Sequence, residues 1–126
     1  MNAKRKGSGG ERELAEILRG YGVRAYRNDQ IFRGGKGNPD VSAEVFGFAL
    51  HIEVKRVEKL NVSAAVDQAI RDADPGVLPI VAHRRNREKW LITVPLAIFL
   101  DLLNEKGAFK PDPFIQDLIM EQTEQQ

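Results

Sequence analysis

The sequence predicts an α/β fold, a central mixed β-sheet flanked by helices, in a single domain of 126 residues. Three observations carry this. Apolar residues alternate with a period of two along the strand at 48–57, and 40–46, 77–83 and 89–94 read as three further short strands. They recur at helical spacing in 11–22 and 63–73. With 42% hydrophobic and 29% charged residues, the chain can bury one sizeable core.

Taken in order, residues 1–7 are basic and are expected to form a flexible tip. "SGGE" at 8–11 has the form of a capping box, with Ser8 as N-cap and Glu11 at its third helical position. The helix then runs through "ERELAEILRGYG", with Leu14, Ile17, Leu18 and Tyr21 on one stripe and Gly20 and Gly22 as stop signals. "VRAYRND" at 23–29 is a short strand, followed by the glycine-rich loop "FRGGKGNPD". Strands at 40–46 and 48–57 are joined tightly around Gly47. "SAAVDQAIRDA" at 63–73 is a second helix ended by "DPG". "VLPIVAH" and "KWLITV" are strands joined by the basic turn "RRNRE", and Pro95 opens a helix to about Asn104. Residues 105–126 are a C-terminal helical extension in which "PDPFIQDLIM" is a last helix or a packing tail. Trp90, Phe99 and the Leu/Ile stripe of 96–103 read as core.

Composition removes several classes of function. No apolar run reaches the roughly 18 residues that span a bilayer, and no apolar segment follows the basic start as in a secretory signal. With no cysteine there is neither disulfide nor thiolate metal site, which fits a cytoplasmic setting. Two histidines, His51 and His83, are too few for a histidine cage, so a metal would be held mainly by oxygen, favouring Mg2+ or Mn2+. The net charge of +1 hides an uneven distribution. Residues 1–40 hold nine Lys/Arg against five Asp/Glu and 83–94 four against one, while 41–82 and 95–126 are net negative. Such segregated positive charge suits a polyanionic partner as well as an ordinary solvated surface.

The chemistry centres on "LHIEVKR" at 50–56. Leu50, Ile52 and Val54 share one face of the strand, and His51, Glu53 and Lys55 the other. Thirteen residues before Glu53, "NPD" ends in Asp40 at the start of the preceding strand. A hairpin can bring Asp40 beside Glu53. Two carboxylates, with the Val54 carbonyl as a candidate third oxygen ligand, can hold a hard divalent cation. Lys55, on the same face, can position an attacking water or offset charge developing on a phosphate.

Asp40, Glu53 and Lys55, preceded by "RKGSGGERELAEILRGYGVRAYR" at 5–27, resemble the PD-(D/E)XK nuclease superfamily. Within it the chain is most similar to the archaeal-type Holliday junction resolvases and their phage-encoded relatives, over roughly residues 4–82. The resemblance implies a restriction-endonuclease-like core and a metal-dependent, structure-selective DNA endonuclease that acts on four-way junctions as a homodimer. It implies Asp40 and Glu53 as metal ligands, Lys55 as catalytic lysine and Glu11 completing the metal site directly or through water. Arg12 and Arg27 would contact phosphate near the scissile bond, and Gln68 would be a supporting polar residue. Lys6, Ser8, Arg33, Lys36 and Arg56 complete the expected DNA-contacting set. The longer loop at 28–38 and the tail from Pro95 depart from the family pattern and bear on substrate preference. Helical spacing sets Glu11 on the margin of the buried stripe with Leu14 and Leu18, whereas Glu13 falls near the opposite margin and Glu16 points away. Leu91, Ile92 and Phe99 are candidates for a dimer surface.

Each feature also has a plainer structural reading: Glu11 as a capping residue, Asp40 as turn chemistry after Pro39, Glu53 with Lys55 as an exposed strand face, His51 as a bystander at the strand's beginning. Two other functions share the same residues: a nuclease for flap, nicked or foreign duplex DNA, and a non-catalytic DNA-binding domain. The presence of the whole Asp40, Glu53 and Lys55 set speaks against the last.

Overall fold

The computed structural model describes residues 3–28, 39–110 and 112–115, the first six of them as backbone only. Its elements follow the expected order: α1 (Ala3–Gly20), β1 (Arg24–Arg27), β2 (Val41–Val45), β3 (Phe48–Arg56), α2 (Val62–Asp72), β4 (Leu78–Arg84), β5 (Leu91–Thr93) and α3 (Leu96–Leu103). The chain divides into two compact units, Met1–Val94 and Pro95–Gln126.

In the first unit the five strands form one sheet in chain order. β1, β2 and β3 are successively antiparallel, β4 runs parallel to β3, and β5 returns antiparallel to β4. The parallel step needs a crossover, and α2 supplies it. The sheet is therefore mixed, as expected. Its turns follow local chemistry. Phe46 and Gly47 both take positive φ (53° and 82°), the requirement of a two-residue type I′ hairpin between right-twisting strands. At the end of α1, Gly22 at φ 90° lets its own amide reach the Arg19 carbonyl and the Val23 amide the Leu18 carbonyl, closing the helix with paired carbonyls. Asn61 caps α2 by accepting from the Ala64 amide at 3.0 Å.

The two faces of the sheet are covered by different helices. Leu14 of α1 packs with Ala25, Val41, Ala43, Leu50, Ile52, Val54, Ile80 and Ala82. Ala65 and Ala69 of α2 pack on Val81. The central strand β3 is thus buried on both sides, which a reading of its second face as solvated does not foresee.

Several expectations need correction. α1 begins at Ala3, so residues 3–7 are helical rather than a flexible tip, and Ser8 and Glu11 lie inside the helix instead of forming its capping box. The glycines that suggested a helix start serve packing. Gly10 is buried, and a Cβ there would stand 3.4 Å from the Cβ of Arg56 and 3.6 Å from Cγ1 of Val54, so its hydrogen lets α1 approach β3 closely. Trp90 packs against the core as expected. In the second unit α3 buries none of its residues, and Phe99 is 47% exposed, so the 96–103 stripe is not core. An apolar composition signals a face to be covered and does not say by what. Residues 112–115 form a turn closed by the Ile115 amide on the Asp112 carbonyl, and most of the expected last helix lies outside the described residues.

Candidate active site

Strand register assembles the site. Val41 pairs with Ile52, so the next step outward sets Asp40 opposite Glu53, while Glu53 pairs with Val81 and Lys55 with His83 on the other side. Cross-strand neighbours share a face. Because Val81 packs on α2, the His51, Glu53 and Lys55 face is the α2 face.

Asp40 is fixed twice. Its carbonyl accepts from the Asn28 amide at 3.0 Å, continuing the β1–β2 ladder, and its Oδ2 accepts from the Val54 amide at 2.8 Å. Glu53 is 3% exposed and its Oε1 accepts from His51 Nε2 at 2.8 Å. Lys55 Nζ donates to Gln68 Oε1 of α2 at 3.2 Å.

The electrostatics of the two carboxylates diverge. Burial pushes Asp40 up; the Val54 amide opposes this, but the charges of Glu53 and Glu11 and the hydrogen bond shared with Glu53 add to it, leaving the group at about 7. Burial also raises Glu53, yet the His51 hydrogen bond and charge, the hydrogen bond with Asp40 and the Lys55 charge outweigh it and hold Glu53 below the usual carboxylate range. The two shifts are of opposite sign, so the proton stays with Asp40 while Glu53, beside His51 and Lys55, carries the charge.

That arrangement fits a hard divalent cation, which would replace the proton on Asp40. In an extended strand the N–H and C=O of one residue point to the same edge, so the Val54 carbonyl is directed to the Asp40 side, past the first residue of β2. Among the described residues no three His, Cys, Asp or Glu groups form a ready-made metal cluster. The structure brings together two carboxylates and places Glu11 near enough for its charge to act on Asp40.

The remaining candidates sit as follows. Gln68 meets Lys55 directly. Arg12 is exposed on α1. Arg27, opposite Val41, and Arg56, two residues beyond Val54, are on the α1 face, away from Lys55, with Arg56 lying over Gly9 and Gly10. The side chains of Lys6 and Ser8, and all of Arg33, Lys36 and the glycine-rich loop, lie outside the described residues. A cleft of about 500 Å³ beyond the ends of β3 and β4 is lined by Val57, Glu58, Leu60, His83, Arg84, Arg85, Glu88, Lys89 and Leu91, a set of mixed charge that includes none of the carboxylates above.

Two features escape a sequence reading. His51 is 2% exposed and grips Glu53, so it is no bystander at the strand's beginning; its place two residues from Glu53 was the available signal. Glu13, expected near the far margin of α1, accepts a forked pair from Arg84 (2.9 and 3.0 Å) and a further bond from Trp90 Nε1 at 2.6 Å. Contacts across 71 and 77 residues leave no local signal.

The family profile described as archaeal Holliday junction resolvase (Hjc) matches residues 2–112 of this chain. Among solved structures, the chain is similar to the Holliday junction resolvase Hjc of the archaeal hyperthermophile Archaeoglobus fulgidus, with a TM-score of 0.55 and 27% sequence identity over 70% of this chain and 76% of that one. No curated protein matches the sequence.

Proposed function

This chain belongs to the archaeal Holliday junction resolvase family, and from that premise we propose the residues, the metal and the assembly with which it cuts DNA. It is an endonuclease that resolves four-way junctions. The observation that carries the residue assignment is the half-buried Asp40 set opposite the buried Glu53 on one face of the sheet, with Lys55 one row further on.

Asp40 and Glu53 hold the divalent cation, Mg2+ or Mn2+, with the Val54 carbonyl as an oxygen ligand and Glu11 completing the set directly or through water. When bound, the cation supplies positive charge against the scissile phosphate and acidifies water. Lys55, steadied by Gln68, orients the attacking water or offsets negative charge as the phosphodiester opens. His83, in register with Lys55, is engaged by Thr93 Oγ1 at 2.8 Å. Arg12 contacts phosphate beside the cut, and Lys6, Ser8, Arg33 and Lys36, with Arg27 and Arg56 from the α1 face, extend the contact along the DNA.

The enzyme acts as a homodimer, since paired cuts across a two-fold junction call for two sites related by the same symmetry. Leu91 and Ile92 of the edge strand β5, both 56% exposed, suit such an interface, and Phe99 is a further candidate. Acting on DNA, the protein works in the cytoplasm of a bacterial, archaeal or phage-infected cell.

The test is cleavage of a labelled synthetic four-way junction, with linear duplex, nicked and flap controls, in Mg2+ or Mn2+. Paired symmetric nicks confined to the junction, lost in Asp40→Asn and in Lys55→Ala, are the expected result. Equal cutting of every substrate would remove junction selectivity, and full activity in either variant would remove that residue from the site. A monomer at micromolar concentration in sedimentation would count against the dimer.

A further inference from the structure

We infer that His51 is a positioning residue for the metal site: its imidazole holds Glu53 so that the second carboxylate oxygen is presented toward Asp40 and the cation. The inference rests on reading Asp40 and Glu53 as metal ligands.

The geometry is unusual for a core histidine. His51 is 2% exposed and Glu53 is 3% exposed, both on the central strand β3, and the Nε2 to Oε1 distance is 2.8 Å. His51 is flanked in register by Ser42 on β2 and Pro79 on β4, so neighbours confine the ring on both sides. Placing an imidazole and a carboxylate together out of water costs desolvation that an apolar side chain of similar volume would avoid. Leu fits the strand pattern here as well as it does at position 50. What the imidazole adds is a fixed N–H aimed at one Glu53 oxygen.

The consequence follows from bond counting. A glutamate has three side-chain torsions and four lone-pair directions. With Oε1 engaged by His51, rotation of the carboxylate is restrained and Oε2 is left for a second partner, with Asp40 the residue opposite Glu53 in the strand register. Groups that hold a metal-ligating side chain in this way typically contribute 10- to 100-fold to metal affinity. His51 thus acts through Glu53 and touches neither the phosphate nor the water.

The experiment measures Mn2+ binding to the full-length protein by electron paramagnetic resonance, alongside circular dichroism melts and single-turnover cleavage of a synthetic four-way junction. His51→Leu removes the donor and keeps the volume. His51→Gln places an amide nitrogen about as far out as the imidazole Nε2, and His51→Asn falls short of Glu53. His51→Leu and His51→Asn are expected to weaken Mn2+ binding by about 10- to 100-fold. Their cleavage should recover toward the wild-type rate as Mn2+ is raised to saturation, while His51→Gln stays within about threefold of wild type. Should His51→Leu not fold, the Gln and Asn pair carries the comparison. Mn2+ affinity unchanged in His51→Leu or His51→Asn, or equally reduced in Gln and Asn, overturns the inference. A wild type that binds Mn2+ and cuts the junction beside an unaffected variant defeats this inference alone. A wild type that binds no Mn2+ defeats the proposed metal site and the inference with it.

Discussion

The Val54 amide donates to Asp40 Oδ2 at 2.8 Å, across the open end of the hairpin whose other end is the Phe46–Gly47 turn. The bond ties the residue before β2 to the strand that carries Glu53 and Lys55. It also separates what Asp40 does for the fold from the metal-holding role proposed for it.

Asp40→Asn keeps an oxygen for the Val54 amide and removes the repulsion with Glu53 and Glu11. Metal-free Asp40→Asn should be at least as stable as wild type at pH 8, while junction cleavage falls by about a hundredfold or more. Asp40→Ala leaves the amide without its acceptor and should cost about 1–3 kcal/mol. Urea unfolding in EDTA, paired with cleavage assays, separates the two.

The raised Asp40 sets a pH dependence. Its ordinary value is 3.8 and its folded value about 7, so between these limits the folded chain holds a proton that the unfolded chain has lost. Stability of the metal-free protein should therefore fall as pH rises from about 4 to about 7 and level off above. The lowered Glu53 acts in the opposite sense, but only on the acid side of its usual range, where its stabilisation is lost as pH falls. Added Mg2+ should stabilise more at pH 8 than at pH 5.5, because the proton on Asp40 must leave first. Melts at a series of pH values, with and without Mg2+, check both statements, and Asp40→Asn should flatten the window.

Glu13, Arg84 and Trp90 hold α1 against β4 and the start of β5, with the Arg84 guanidinium also 5.5 Å from the centre of the Trp90 ring. The Arg84 side chain is only 10% exposed, so Glu13→Ala strands a largely buried cation. A loss of about 2–3 kcal/mol is expected. Trp90 is the sole tryptophan, so its fluorescence reports both the local change and global unfolding.

Phe46 occupies a left-handed position that bulky residues disfavour, and its side chain is 65% exposed, so little packing repays the strain. Phe46→Asn completes an Asn-Gly turn and should stabilise the protein by about 0.5–1 kcal/mol. A shift of the urea midpoint without a change in slope is the signature to look for.

Much of this architecture is legible from local patterns, for reasons particular elements make plain. The period of two over residues 48–57 and the Gly47 turn specify the β2–β3 hairpin, and the hairpin brings Asp40 opposite Glu53 without help from distant residues. Alternation also places Glu53 and Lys55 on one face. It cannot say what covers that face: burial of β3 on both sides depends on α2 crossing over to β4, a long-range event. The glycines of α1 look like a helix boundary and act as a packing surface against Val54 and Arg56. Glu13 finds its partners only once β4 and β5 are in place, and α3 has no buried residue among the described residues although its composition reads as interior.

The chain leaves the sheet at Asn28 and re-enters it at Asp40, and a single hydrogen bond of 3.0 Å joins the Asn28 amide to the Asp40 carbonyl. Those two points form a seam. The segment 29–38 is tethered at both ends by β1 and β2, so exchanging it changes closure entropy by only a few tenths of a kcal/mol for modest changes in length. Such an exchange does not pull on the carboxylate pair behind the seam. Segments of different length and charge can be grafted there while the Asp40 and Glu53 pair is inherited unaltered.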